Sequence, residues 1–290
     1  MKNLDLGLPN GSLKKPTFGH MSKAGMEVIE NPRSFRAEIH GIELFDKVNL
    51  MRPMDIPEAL ARGIIDCGIC GLDWVVEYQL GLEKLGIQAP PIIKLAEFNY
   101  SRKSRQPVKV VMFGREDSPP IGPMEDARRI SSEYPNITEQ KYPYESIHFS
   151  HGTTEAKVVS GLFDYGVCVT ETGSTIEANG LKIVDTLLVS PTVLIARERL
   201  PKLILFGRLI EGALIAEDRQ SLTMNVGADI KEQVIAILPA LKSPTISPEA
   251  DGSFAIHTVA LKKELADLLI ELLSLGATGI LVQDINVILP

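Results

Sequence analysis

Cysteine is scarce in this chain: 290 residues hold three, Cys67, Cys70 and Cys168. So few, and an odd number, exclude the disulfide framework of a small secreted scaffold. Cys67 and Cys70 have the C-x-x-C spacing of a redox or metal pair. They lie, however, in "IIDCGICGLDW", with no second pair and no His-x-x-x-His to complete a zinc set, so a buried strand running into a turn is the simpler reading. An excess of cationic side chains is also missing. With 30 Lys and Arg against 37 Asp and Glu, the net charge is −7, which does not suit a protein that neutralises nucleic-acid phosphates and favours a small-molecule ligand. Long apolar runs are absent as well. "MKNLDLGLPNG" carries no signal core, and later apolar stretches are broken by Pro191 or by Arg208 and Glu211, so no bilayer span is read and a cytoplasmic location is expected. Neither G-x-x-x-x-G-K-[ST] nor a strand-placed G-x-G-x-x-G occurs, which removes support for the common ATPase and dinucleotide-binding readings. No Ser-His-Asp or Cys-His set can be assembled, which points to chemistry without a protein nucleophile.

What is present is an alternation of strands and helices. Leu4, Leu6 and Leu8 alternate as in a strand, "PNGSLKKPT" makes a glycine loop, and Pro16 and Thr17 open a helix ending near Gly25. "FRAEIHG" and "ELFDKVNL" read as strands, Asp55 as the cap of a helix "IPEALARG" closed by Gly63, "IIDCGICG" as a buried strand and "DWVVEYQL" as a helix. A second unit follows the basic run Arg102, Lys103, Arg105 and Lys109, which reads as a solvated linker, although beside a cleft it could attract a polyanion. Its strands are "VKVVMFGR", "RISSEYP", "SIHFSHG" and "YGVCVTE", and its helices "GPMEDARR", "NITEQKY" and "TTEAKVVSG"; the sequon Asn136-Ile137-Thr138 is taken as a helix start. Two such α/β units leave a cleft between them, with glycine loops at the strand ends. The last segment has the order βαββαβ of a ferredoxin-like module: "QSLTMNV", a helix capped by Asp229 and Glu232 and carrying Ile230, Val234, Ile237 and Leu238, then "SPTIS", "FAIHTVAL", a leucine helix from Leu261 to Gly276, and "TGILVQDI".

The stretch "VTETGSTIEANGLK" concentrates the chemistry. Ser174-x-x-Glu177 matches a capping box, while Thr170, Thr172, Ser174 and Thr175 add donors and Gly173 allows close backbone approach, so the segment reads as a helix start and as a phosphate cradle.

On these residues the chain resembles the ATP phosphoribosyltransferase family. "VTETGSTIEANGLKIVDT" is similar to the family signature, and "LGLPNGSL", "MRPMDIPEALARGIIDCGICGLDW", "SEYPNIT", "FSHGTTEAKV", "SPTVLIA", "TMNV" and "LPALKSPTISP" follow in the family's order over essentially the whole chain. The resemblance is to the long form with a C-terminal regulatory domain. It implies an α/β fold with a two-lobed, type II periplasmic-binding-protein-like body and an ACT-like ending. The implied division is lobe I at 1–100, lobe II at 101–183, a return to lobe I at 184–210, and the terminal domain at 211–290. The implied reaction joins N1 of the adenine of ATP to C1 of phosphoribosyl pyrophosphate, the first step of histidine biosynthesis. It would be helped by Mg²⁺ held mainly on substrate phosphates, with no protein ligand assigned. Glu171, Thr172, Gly173, Ser174, Thr175 and Glu155 would meet the phosphoribosyl donor, and Gly11, Ser12, Arg52 and Asp73 the ATP. Leu241, Ser243, Thr245 and Ala277 would bind histidine as feedback inhibitor in a homo-oligomer, a hexamer or a dimer. Cys168 stands where the family commonly has an acid, His151 where it has tryptophan, and Cys70 and Leu72 where it has "ITGKD". These departures motivate the alternative of a catalytically weakened nucleotide- or phosphosugar-binding sensor.

Overall fold

A computed structural model of the chain describes residues 4–31, 34–88, 90–102, 104–121, 127–143, 145–239 and 243–289. They form two compact units, residues 1–22 with 26–207, and residues 23–25 with 208–290.

In the first unit, β1 (Leu4–Pro9) feeds a tight loop and α1 (Lys14–Lys23); Pro16 sits inside the first turn, so the helix opens two residues before the predicted start. β2 (Glu27–Glu30), β3 (Arg36–His40) and β4 (Phe45–Met51) follow, then α2 (Ile56–Ala61), β5 (Cys67–Gly71), α3 (Leu72–Lys84) and β6 (Ile93–Phe98). Every residue of β5 is buried, as expected of a strand covered on both faces. Asp55 occupies the N-cap position of α2 without a side-chain cap bond, and Gly63, with φ 71°, closes the turn after it.

The chain then crosses to β7 (Val108–Gly114), β8 (Arg129–Ser132), α4 (Pro135–Lys141), β9 (Ser146–Phe149), α5 (Thr154–Val159), β10 (Tyr165–Thr170), α6 (Ser174–Ala178) and β11 (Lys182–Ser190). The expected helix "GPMEDARR" falls mostly on 122–126, outside the described residues, and Arg129 opens a strand instead. After Pro191, β12 (Thr192–Ala196) returns to the first sheet. Because β11 pairs with β7, the return comes after Ser190 and not at 184.

One sheet has the order β2-β3-β4-β1-β5-β12-β6 and the other β11-β7-β10-β8-β9. In each, the strand arriving from the other lobe is inserted antiparallel between two neighbours: β12 between β5 and β6, β7 between β10 and β11. This reciprocal insertion is the type II periplasmic-binding-protein topology. It joins two lobes through two chain crossings and turns the carboxyl ends of the parallel strands toward the cleft between them.

The helix α7 (Pro201–Ala216) is an element the sequence analysis did not identify. Leu203, Phe206, Ile210, Ala213 and Leu214 are buried at helical spacing, which Arg208 and Glu211 obscure in the linear sequence. The second unit continues with β13 (Arg219–Val226), α8 (Lys231–Ile237), β14 (Thr245–Pro248), β15 (Phe254–Leu261), α9 (Leu265–Leu275) and β16 (Thr278–Asp284). Their sheet order, β14-β15-β13-β16, all antiparallel, is that of a ferredoxin-like, ACT-like domain. The Asp229 cap is not formed: Ile230 precedes α8 with no side-chain bond, and Leu238, extended at ψ 123° before Pro239, lies beyond the helix. Leu261 ends β15, so α9 begins at Leu265, and it closes at Gly276 with φ 96°.

Candidate active site

The cleft of the first unit holds a cavity of about 730 Å³. Its wall is built at strand ends: Asn10 to Leu13 after β1, Arg52 to Met54 after β4, Gly71 and Asp73 after β5, and Thr170 to Thr172 with Ser174 and Thr175 after β10. Eight of the predicted contacts therefore share one space, Gly11, Ser12, Arg52 and Asp73 from one lobe and Glu171, Thr172, Ser174 and Thr175 from the other.

The loop after β10 is held by its own hydroxyls. Gly173 donates its N–H to Thr170 Oγ1 at 2.9 Å, and the Thr172 hydroxyl donates to Ser174 Oγ at 3.1 Å. The capping box is not formed. Gly173 occupies the N-cap position of α6, which puts Ser174 inside the first turn. Gly173 is also absent from the cavity wall. Its requirement is conformational: φ is 81°, and a Cβ there would stand 3.1 Å from Ile183 Cδ1. The hydroxyls of Thr172, Ser174 and Thr175 are exposed to the cavity, so the loop presents side-chain donors to a ligand.

Asp73 is buried and fully engaged. Oδ1 accepts from the Ser190 hydroxyl at 2.5 Å and Oδ2 from the Tyr134 hydroxyl at 2.6 Å, and burial pushes its pKa up despite both bonds. On the same wall, burial raises the Glu133 carboxyl; Thr154, donating at 2.9 Å, opposes that shift and the Glu155 charge adds to it. Two cations face these acids. Arg52 and Arg102 line the cavity, and neither forms an ion pair with any described residue. Arg102 is exposed in the segment joining β6 to β7, the linker expected of the basic run, and it also lines the cavity, as the second reading of that run allowed. Lys103 lies outside the described residues.

Glu155 is not on the cavity wall. It lies beside Cys168, whose thiol reaches Glu155 Oε1 at 3.9 Å and packs with Val111, Phe113, Val158, Ile176 and Leu181. Burial pushes the Cys168 thiol up, and Glu155 and Glu133 add to the shift. Cys168 thus points under α5 and α6 and away from the cavity. Cys67 and Cys70 are buried free thiols whose pKa burial also raises, which leaves them unreactive. Leu72 packs on the core containing Cys70, and His151 is exposed with its ring against Phe149. Among the described residues no three His, Cys, Asp or Glu side chains converge as a metal site, and no helix is long and apolar enough to cross a membrane.

In the second unit Ser243 and Thr245 are exposed at the start of β14, Ala277 is buried in the core with Leu272, and Leu241 lies outside the described residues. The Ala277 methyl packs in that core.

Fold and cavity together define a two-lobed α/β protein of the ligand-binding class, with the hydroxyls of Thr172, Ser174 and Thr175 on one lobe and Arg52 on the other lining the same space. The profile of the family described as "ATP phosphoribosyltransferase" matches residues 52–211, and that of "HisG, C-terminal domain" matches residues 216–287. The chain belongs to the ATP phosphoribosyltransferase family, and its activity is the ATP phosphoribosyl transfer of histidine biosynthesis. It is 34% identical to an ATP phosphoribosyltransferase of Desulforudis audaxviator, over 99% of both chains, and 36% identical to ATP phosphoribosyltransferase 1 of Geobacter sulfurreducens, again over 99% of both. Among solved structures it is similar to the ATP phosphoribosyl transferase (HisG:HisZ) complex from Thermotoga maritima, with a TM-score of 0.56 and 25% identity over 72% of this chain and 96% of that one.

Proposed function

We propose that the cavity binds the two substrates from opposite walls. Thr172, Ser174 and Thr175 take the 5′-phosphate of phosphoribosyl pyrophosphate, Glu171 accepts from its ribose hydroxyls, and Gly11, Ser12 and Arg52 face ATP. Asp73 has both oxygens occupied, so it acts on ATP through the wall it shapes. Glu155 supports the donor loop from behind. The observation that carries this reading is the meeting of the two residue sets on one cavity.

In the reaction, the lone pair of adenine N1 attacks C1 of the sugar. The C1–O bond breaks, and pyrophosphate leaves with the electron pair and with inversion at C1. The side chains align the reactants and balance charge. Arg52 and Arg102 suit the leaving and spectator phosphates. Mg²⁺ would be held mainly on the substrate phosphates and would supply charge neutralisation of the pyrophosphate; Asp73, with two hydrogen bonds, and Glu133, with one, are engaged within the protein. Incubation with ATP, phosphoribosyl pyrophosphate and Mg²⁺ should release pyrophosphate. No release at high enzyme concentration, with folding verified, refutes the assignment.

The proposal extends to regulation. Histidine inhibits by binding the second unit near Ser243 and Thr245, in a cytoplasmic homo-oligomer, hexameric or dimeric. Repeating the assay with histidine, and light scattering with and without it, tests both parts. Uninhibited turnover in saturating histidine rejects the first.

A further inference from the structure

α3 carries two buried carboxylates one turn apart, Asp73 and Glu77, and both reach across the cleft. Asp73 accepts from Ser190 at the end of β11 and from Tyr134 before α4. Glu77 accepts the backbone N–H of Asn136 on Oε1 and that of Ile137 on Oε2, both at 2.9 Å. Asn136 returns a bond from Nδ2 to the Glu77 carbonyl at 3.2 Å. These N–H groups belong to the first turn of α4, where orphan donors need an acceptor, and Tyr134 at the N-cap position supplies no side-chain bond. The cap of a lobe II helix is thus provided by a lobe I side chain. Separating the lobes at this edge would break these bonds, and bonds to a charged acceptor contribute more than neutral ones.

We propose that Glu77, with Asp73, is an interlobe positioning residue: it fixes the β8–α4 corner against α3 and so holds the donor loop and the Arg52 wall at the spacing that transfer requires. The kinetic part of this inference rests on the transferase reading; the conformational part does not. Trp74 is the only tryptophan in the chain, lies between the two carboxylates in sequence, and packs on Tyr134 with ring centroids 4.6 Å apart. It is a built-in reporter of the contact.

The test compares the full-length wild type with Glu77→Ala and the isosteric Glu77→Gln, which keeps one acceptor and sets an amide N–H₂ against the second donor. In both variants Trp74 emission should shift to the red and become more open to acrylamide quenching. KM for both substrates should rise about tenfold in Glu77→Gln, the scale of one lost hydrogen bond to a charged group, and further in Glu77→Ala, while kcat changes less. A residue serving stability alone would instead lower the active fraction at unchanged KM. Wild-type emission, quenching and KM in a folded variant overturn the proposal, and Glu77→Gln carries the test if the alanine variant does not fold. Should the wild type release no pyrophosphate, the transferase reading fails, and the fluorescence comparison still decides the clasp.

Discussion

Gly173 and Arg102 show how single residues set the site by different means. Gly173 acts through backbone conformation. Any L-residue at φ 81° is strained by roughly 1–3 kcal/mol, and a β-branched one also meets Ile183. Gly173→Val should therefore distort the loop, abolish donor binding in calorimetry and leave far-UV circular dichroism largely unchanged. Unaltered donor affinity would count against the loop as cradle. Arg102 acts through charge. It is exposed and has no ion-pair partner among the described residues, so Arg102→Ala should leave the unfolding midpoint unchanged and raise a substrate KM by about tenfold, the loss of one charge-assisted contact. Glu133 gives a pH signature. Burial raises its carboxyl pKa in the folded state above the unfolded value, so ionising it costs stability as pH rises from the ordinary carboxylate range through the raised value. Glu133→Gln removes that cost and can still accept from Thr154. Its unfolding midpoint should exceed that of the wild type at pH 8, and the difference should shrink toward pH 4. A constant difference across that range would contradict the assignment.

Among elements, β5 and α9 were legible from sequence because one kind of pattern dominates each. β5 is an uninterrupted apolar run, and α9 places Leu268 and Leu272 on the buried face and ends on a glycine. α7 was not, since its polar face interrupts an apolar stretch just where a strand-based reading expects a return to the sheet. The loop after β10 was recognisable by composition. The location of its N-cap was not, because that depends on whether Gly173 or Ser174 leaves helical geometry, which a capping-box spacing cannot decide. The Glu77 bonds were hidden for a different reason: the acceptor and its donors are 59 and 60 positions apart, and the donors are backbone groups with no residue signature. In α9, Leu272 is fully buried, so Leu272→Ala should destabilise the second unit by about 2–5 kcal/mol. Calorimetry should show the loss in the transition of that unit, and an unshifted thermogram would mean that its core does not depend on α9.

At the scale of the whole molecule, the two-lobed architecture and the terminal βαββαβ domain were expected from the order of elements, while the reciprocal insertion of β7 and β12 was not visible in any periodicity. Nor could a sequence show which residues meet across the cleft. Glu155 and Cys168 stand close to the donor loop in chain and in motif, yet they face the α5 side of the sheet, whereas Arg102, from the crossing, faces the ligand space. The alternation along β10 settles this: Cys168 and Val169 necessarily point to opposite faces.

The insertion of β12 also has a consequence for synthesis. β6 pairs with no strand other than β12 among the described residues, so it leaves the ribosome with both edges open and stays so until all of lobe II has followed. The first lobe cannot close its own sheet before the second has been made. Such delayed, non-local pairing slows folding and prolongs exposure of an unpaired edge. Nascent chains arrested before residue 192 should accordingly be more sensitive to protease in lobe I than chains released after 196, even though lobe I is first off the ribosome.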